Sequence, residues 1–287
     1  MRRNLKGGPP LYRSNVWKTI ARKGLFLLQW IPMYRHEHLK MKHRSNTSPQ
    51  KKIYFYHVQK SAGTSLVKAF ESLGGEDPLE VEARMIRPGY TAWTAGHLLV
   101  HTGDSFILRL TPFTFAWSHQ PFWKVKLPSN TFTVTILRDP IDRIVSLYCY
   151  GIDREADKMS RFKASPYIRE ITSNGFETFL NACPPSLLLN QLYIFSRSLN
   201  PDQAASKIRS LSLYFFTEYF SQGMEKLSTE THFTLPIRRE RSTSSSSLIC
   251  LSSSTRHRLR EILEPEYQMI EELRRNPGPN FIGHFPS

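Results

Sequence analysis

The sequence predicts an α/β fold, with a central parallel sheet flanked by helices. Two β-branched and aromatic runs, residues 53–58 and 131–137, each pass through a short polar turn into a segment with helical apolar spacing. A third run, residues 213–216, is followed by Thr217-Glu218 and a helical segment near Gln222. Strands that alternate with helices pair in parallel and bury both faces of their sheet. A chain of 287 residues, 40% hydrophobic, suffices for one large domain of this kind with extensions.

The first unit is the most informative. After the strand comes Gln59-Lys60-Ser61-Ala62-Gly63-Thr64-Ser65, and from Leu66 the residues Leu66, Ala69, Phe70 and Leu73 recur at helical spacing up to a stop at Gly74-Gly75. Free N–H groups and the positive dipole end make a helix N-terminus an anion site. Gly63 is expected to let backbone approach the anion, Lys60 to add a mobile charge, and Thr64 and Ser65 to add hydroxyl donors. The lysine precedes the only glycine by three positions, so this turn is not the Gly-x4-Gly-Lys-Ser/Thr loop of ATP and GTP enzymes.

The second unit ends its strand in Arg138-Asp139-Pro140. Asp139 suits an N-cap and Pro140 a first helical position, with Ile141, Ile144, Val145 and Tyr148 on the apolar face. Arg138 thus leaves the sheet where α/β folds bind ligands. Ser146 lies two turns into the helix, Asp142 is expected to be solvated, and Arg143 to form at most a helix-surface ion pair.

Val-x-Lys-Ser-Ala-Gly-Thr-Ser resembles the 5′-phosphosulfate loop of sulfotransferases, and Leu-Arg-Asp-Pro-x-x-Arg-x-x-Ser-x-Tyr resembles their 3′-phosphate motif. The likeness is to the carbohydrate group that includes heparan sulfate 2-O- and 6-O-sulfotransferases and bacterial relatives, and it spans roughly residues 53–275. It implies a P-loop-type three-layer fold. The donor would be 3′-phosphoadenylyl sulfate (PAPS), leaving PAP as product, with a carbohydrate hydroxyl as acceptor and no metal. Lys60, Ser61, Ala62, Gly63, Thr64 and Ser65 would hold the phosphosulfate, and Arg138 and Ser146 the 3′-phosphate. Lys60 would also neutralise charge on the leaving PAP.

In-line displacement at sulfur needs a base for the acceptor hydroxyl. In the resembling family a histidine followed by aromatic residues precedes the Leu-Arg-Asp-Pro strand. Ser118-His119-Gln120-Pro121-Phe122-Trp123 occupies that place, which makes His119 the expected base and His97, in Gly96-His97-Leu98, the alternative. His57 is expected to sit as a polar group under the phosphate loop.

Charge divides the chain. Residues 1–52 hold 13 Lys/Arg and one acid, whereas residues 53–287 hold 26 and 23, so most of the net +15 belongs to the leader. The expected organisation is a basic leader, residues 1–52, and a catalytic domain, residues 53–287. The leader is open to three readings: a disordered arm, a targeting peptide or a membrane-surface segment. Its apolar stretch, residues 24–34, is short for a membrane span. The compartment stays open between membrane-associated (the Golgi, if eukaryotic) and cytoplasmic. Cys149, Cys183 and Cys250 are far apart and form no CxxC pair, so they suggest neither a metal site nor a disulfide framework.

Residues 76–94 and 96–112 read as loops and short strands that shape the acceptor cleft. Helices are expected over 175–181, 186–199 and 202–210, and over 255–275 with an interruption at Pro265. Residues 231–254 read as a flexible polar loop, with Arg238, Arg239 and Arg241 as candidate nucleotide contacts. Two other functions compete. A small-molecule or nucleotide kinase lacks its phosphate-loop signature here, along with an acidic Mg²⁺ ligand after a strand. A nucleic-acid or membrane-surface binder draws support from the leader alone, and no specific nucleic-acid partner is expected.

Overall fold

The computed structural model describes residues 51–85, 91–153, 165–237 and 251–283. Apart from Lys51 and Lys52, the basic leader lies outside the described residues, as do Arg238, Arg239, Arg241 and Cys250.

Strand β1 (Ile53–Tyr56) leads to helix α1 (Gly63–Glu71), followed by α2 (Pro78–Arg84), β2 (Thr91–Thr94), β3 (His97–His101), α3 (Ser105–Leu110) and β4 (Phe115–Ser118). Next come β5 (Phe132–Leu137), α4 (Pro140–Ile152), α5 (Pro166–Thr172), α6 (Phe176–Ala182), α7 (Pro185–Leu188), α8 (Asn190–Phe195) and α9 (Pro201–Arg209). The chain continues through β6 (Leu213–Phe216), α10 (Phe220–Thr231), α11 (Ser253–Arg275) and β7 (Phe281–Ile282).

The seven strands form one sheet in the order β2-β3-β4-β1-β5-β6-β7. Every neighbouring pair is parallel except β2–β3, so the sheet is α/β and mostly parallel, with an antiparallel edge. Side chains alternate across a strand. Tyr54 and Tyr56 accordingly pack on one face with Ile144, Leu147, Leu192, Ile208 and Leu263, from α4, α8, α9 and α11. Ile53 and Phe55 pack on the other with Leu66 and Phe70 of α1 and Met224 and Leu227 of α10. Each fully buried side chain of this size contributes about 1.5–3 kcal/mol.

The register sets up the site. Tyr56 pairs with Ser118 of β4 on one side and Thr135 of β5 on the other. Strands β1 and β4 therefore end level, and β5 runs two residues further, to Leu137. The chain leaves β1 for α1 on one face and β5 for α4 on the other. This divergence opens a crevice at the C-terminal edge, the ordinary ligand position in such sheets.

Several expectations need correction. The stretches expected as loops and short strands also contain helices α2 and α3, each started by an Asp side chain, Asp77 or Asp104, that accepts a backbone N–H. The helix expected over 186–199 is two short helices that meet at Leu189. Pro265 does not interrupt α11, because buried Leu259 and Leu263 on one side and Met269, Ile270 and Leu273 on the other hold both halves in place. That burial outweighs the roughly 3 kcal/mol a helical proline costs. Arg143 is not on the surface but fully buried, paired with Glu266. Cys149 and Cys183 are buried free thiols. Among the described residues no helix is long and apolar enough to cross a membrane.

Candidate active site

The turn between β1 and α1 is built by two left-handed residues, Lys60 (φ 66°) and Ala62 (φ 56°). Ala62 occupies the N-cap of α1 and supplies no side-chain cap, so the first N–H groups of the helix stay available to an anion. Ser61 is fully buried, and its Oγ has no hydrogen-bond partner. An orphaned donor in a turn beside a lysine and an uncapped helix end is what a bound phosphate or sulfate group would satisfy. Ser65 is buried in the first turn and Thr64 is exposed.

Gly63 has a steric role beside the one expected. Its φ is not left-handed, and a Cβ there would lie 2.0 Å from Nε2 of His57. The glycine makes room for the imidazole beneath the loop.

His57 does lie under the loop, stacked on Phe55 at 4.9 Å and tilted at 37° against His119 at 4.3 Å between ring centroids. Burial, and then the nearby His119, His101 and Lys60, hold its pKa well below the usual imidazole value. The His57 carbonyl accepts a 2.7 Å hydrogen bond from Nδ1 of His119. A carbonyl can only accept, so Nδ1 of His119 carries the proton and Nε2 keeps its lone pair. The His119 ring keeps an open edge to solvent. Protein packed around it lowers its pKa, partly offset by the bond to His57. A neutral imidazole with its tautomer fixed this way is fit to accept a proton.

The alternative base, His97, is far from this chemistry. It starts β3, at the opposite end of the strand from the crevice, and its ring packs edge-on against Phe233. The histidine that β3 does bring to the crevice is His101, at the strand's C-terminal end. It stacks on Trp117 at 5.2 Å, and burial, with His119 nearby, pushes its pKa down to about 4. Sequence spacing did not single out His101. The signal available was its position at the end of an apolar run, Leu98-Leu99-Val100.

On the other side of β1, Arg138 follows β5, and its Nη1 donates to the carbonyl of Lys60 at 3.3 Å. The two phosphate motifs therefore touch. Asp139 caps α4 by accepting from the Asp142 N–H at 3.0 Å, and its second oxygen accepts from the Tyr267 hydroxyl. Ser146 is buried on α4, one helical turn before Tyr150. The Lys60 ammonium sits 4.2 Å from the Tyr150 ring centroid, which places this face of α4 against the phosphate loop. Tyr150 and the side chains behind Arg138 were not anticipated, since nothing local in the sequence marks them.

Residues 43–184, which carry Lys60, His119, Arg138 and Ser146, match the model of the sulfotransferase family. The chain belongs to this family. Among solved structures, a sulfotransferase from Alicyclobacillus acidocaldarius aligns over 79% of this chain and 97% of its own, at 11% identity and a TM-score of 0.37. No curated protein matches in sequence. Family membership makes the chemistry of this sulfotransferase sulfuryl transfer, and the crevice holds an uncapped helix-start turn, an arginine and a histidine at the ends of three neighbouring strands.

Proposed function

We propose that the protein transfers the sulfuryl group of PAPS to a hydroxyl of a carbohydrate acceptor, with His119 as general base. The observation that carries the reading is the meeting of three groups at one crevice. The uncapped turn at Lys60 and the Arg138 guanidinium lie in contact, and His119 stands beside them with Nδ1–H anchored to the His57 carbonyl.

PAPS supplies an activated sulfuryl group when bound. The residues present suit it: the buried Ser61 hydroxyl lacks a partner, and the first N–H groups of α1 are open. Lys60, Ser61 and Ser65 would hold the phosphosulfate end with the backbone of Ala62 to Thr64, and Arg138 and Ser146 the 3′-phosphate. Nε2 of His119 takes the acceptor proton, and the Lys60 charge stabilises negative charge on the departing phosphate oxygen. The acceptor class rests on the likeness of both motifs to the carbohydrate-sulfating group.

Calorimetric titration with PAP, with ATP as control, tests the donor. Tight binding without Mg²⁺ that is weakened but still measurable in Lys60→Ala and in Arg138→Ala is expected, and a preference for Mg·ATP would refute the reading. His119→Gln is expected to lower kcat by about 10²- to 10⁴-fold in transfer of labelled sulfate to polysaccharide, glycolipid or glycoside acceptors. PAP affinity should stay within about twofold in that variant if His119 acts on the acceptor proton alone. A kcat loss of less than about tenfold would remove His119 from the base role.

A further inference from the structure

Both phosphate-binding turns are gripped by one dipeptide that belongs to neither motif. Asn190 and Gln191 open α8. The Asn190 Oδ1 accepts the N–H of Gln59 at 3.1 Å, on the residue just before Lys60. The Gln191 carboxamide takes hold of Arg138 at two points: its Oε1 accepts the Arg138 N–H at 2.8 Å, and its Nε2 donates to the Arg138 carbonyl at 2.9 Å. The ladder between β5 and β6 ends at Leu137 and Phe216. One residue further on, a side chain stands in for the backbone of a neighbouring strand.

The carboxamide is itself fixed. The Glu266 carboxylate accepts from Gln191 Nε2 at 3.1 Å and from the Gln191 N–H at 2.8 Å, which decides which end of the amide faces the Arg138 N–H. Arg143 lies 3.5 Å from Glu266 and donates to the carbonyls of Leu187 and Leu188. Gln191, Glu266 and Arg143 are all fully buried. Apart from the Arg143 Nε, which has no partner, the network's polar groups are paired, and in such an interior paired groups hold one another in place.

We propose that Asn190 and Gln191 are positioning residues of the donor site, which set the separation and orientation of Lys60 and Arg138 toward the two anionic ends of one ligand. This rests on the donor reading above. The gripped atoms are those next to Lys60 and on Arg138 itself, where a displacement moves a binding group directly. Preorganisation of this kind shows as ligand affinity.

The test is a double-mutant cycle on PAP affinity, measured by calorimetry on the full chain. Q191M keeps the side-chain length and removes the grip. It is expected to weaken PAP binding at least about fivefold in otherwise wild-type protein and less than about twofold in an R138A background, because the arginine it positions is then gone. An equal factor in both backgrounds, or an effect below twofold in the wild type, overturns the proposal. If Q191M does not fold, N190A against K60A gives the corresponding cycle at the other turn, with the same two outcomes. Wild-type protein that binds no PAP overturns the donor reading and this inference with it, whereas tight wild-type binding with additive losses overturns the inference alone.

Discussion

The turn at Lys60 and the turn at Arg138 both join a parallel strand to a helix, but they are made in opposite ways. At Lys60 the helix end is uncapped and the chain is bent by two left-handed non-glycine residues, each costing about 1–2 kcal/mol. Most of its support lies close in sequence: the His57 ring, three residues before Lys60, fits under Gly63, and only the Asn190 bond to the Gln59 N–H comes from afar. At Arg138 the helix begins with a side-chain cap, Asp139, which takes up the Asp142 N–H. Binding there falls to the guanidinium, and support comes from Gln191 and Glu266, far away in sequence. The first turn presents backbone that local strain holds open. The second presents a side chain that a distant scaffold holds still.

The largest effect should come from the distant scaffold. Arg143→Ala leaves Glu266 as an unpaired charge in the core and is expected to cost about 3–5 kcal/mol in urea denaturation. A loss under about 1 kcal/mol would show that the Arg138 turn does not depend on this pair. Next comes the local support. Gly63→Ala drives a methyl into the His57 ring and should cost about 1–3 kcal/mol along with most PAP affinity. His57→Ala in the same chain should restore stability, and failure to do so would place the clash elsewhere. The smallest effect should be that of acid. Burial holds His57 and His101 below the ordinary 6.5, with His101 at about 4. The unfolded chain therefore binds more protons than the folded one as pH falls through 6.5. Stability is complete above that pH and is lost progressively toward pH 4. Hydrogen exchange should show this opening first around residues 57–66, with Arg138 still protected, and simultaneous opening of both turns would erase the contrast.

The same contrast explains what could be read in the sequence. The Lys60 turn, the β5–α4 unit and the cap at Asp139 follow from neighbours within a few residues, and the structure places them as expected. Arg143 was misread because a helix position reveals nothing of Glu266, which arrives on α11. The grip of Gln191 on Arg138 spans 53 residues and that of Glu266 on Gln191 spans 75, and no periodicity encodes either. Strand β4 was passed over as a separate element because the four residues Phe115–Ser118 are too short to show an alternation. At Gly63 the sequence announces a loop glycine but not the room it makes for the His57 ring, whose position depends on the folded turn.

The strand order has a consequence for how such a molecule can diversify. β4, β1 and β5 are consecutive in the sheet and deliver His119, Lys60 and Arg138 in that order. Adjacent strands lie about 4.8 Å apart, so these roles are laid out along a line roughly 10 Å long. On the proposed reading, the donor's two anionic ends would occupy the β1–β5 half of that line, and an acceptor would approach across His119, from the side of β3 and β4. The described residues of 91–130 would then border the incoming hydroxyl, and those of 131–153 the nucleotide. Exchange of the earlier block between related chains should change which molecule is modified while the sulfate source stays the same.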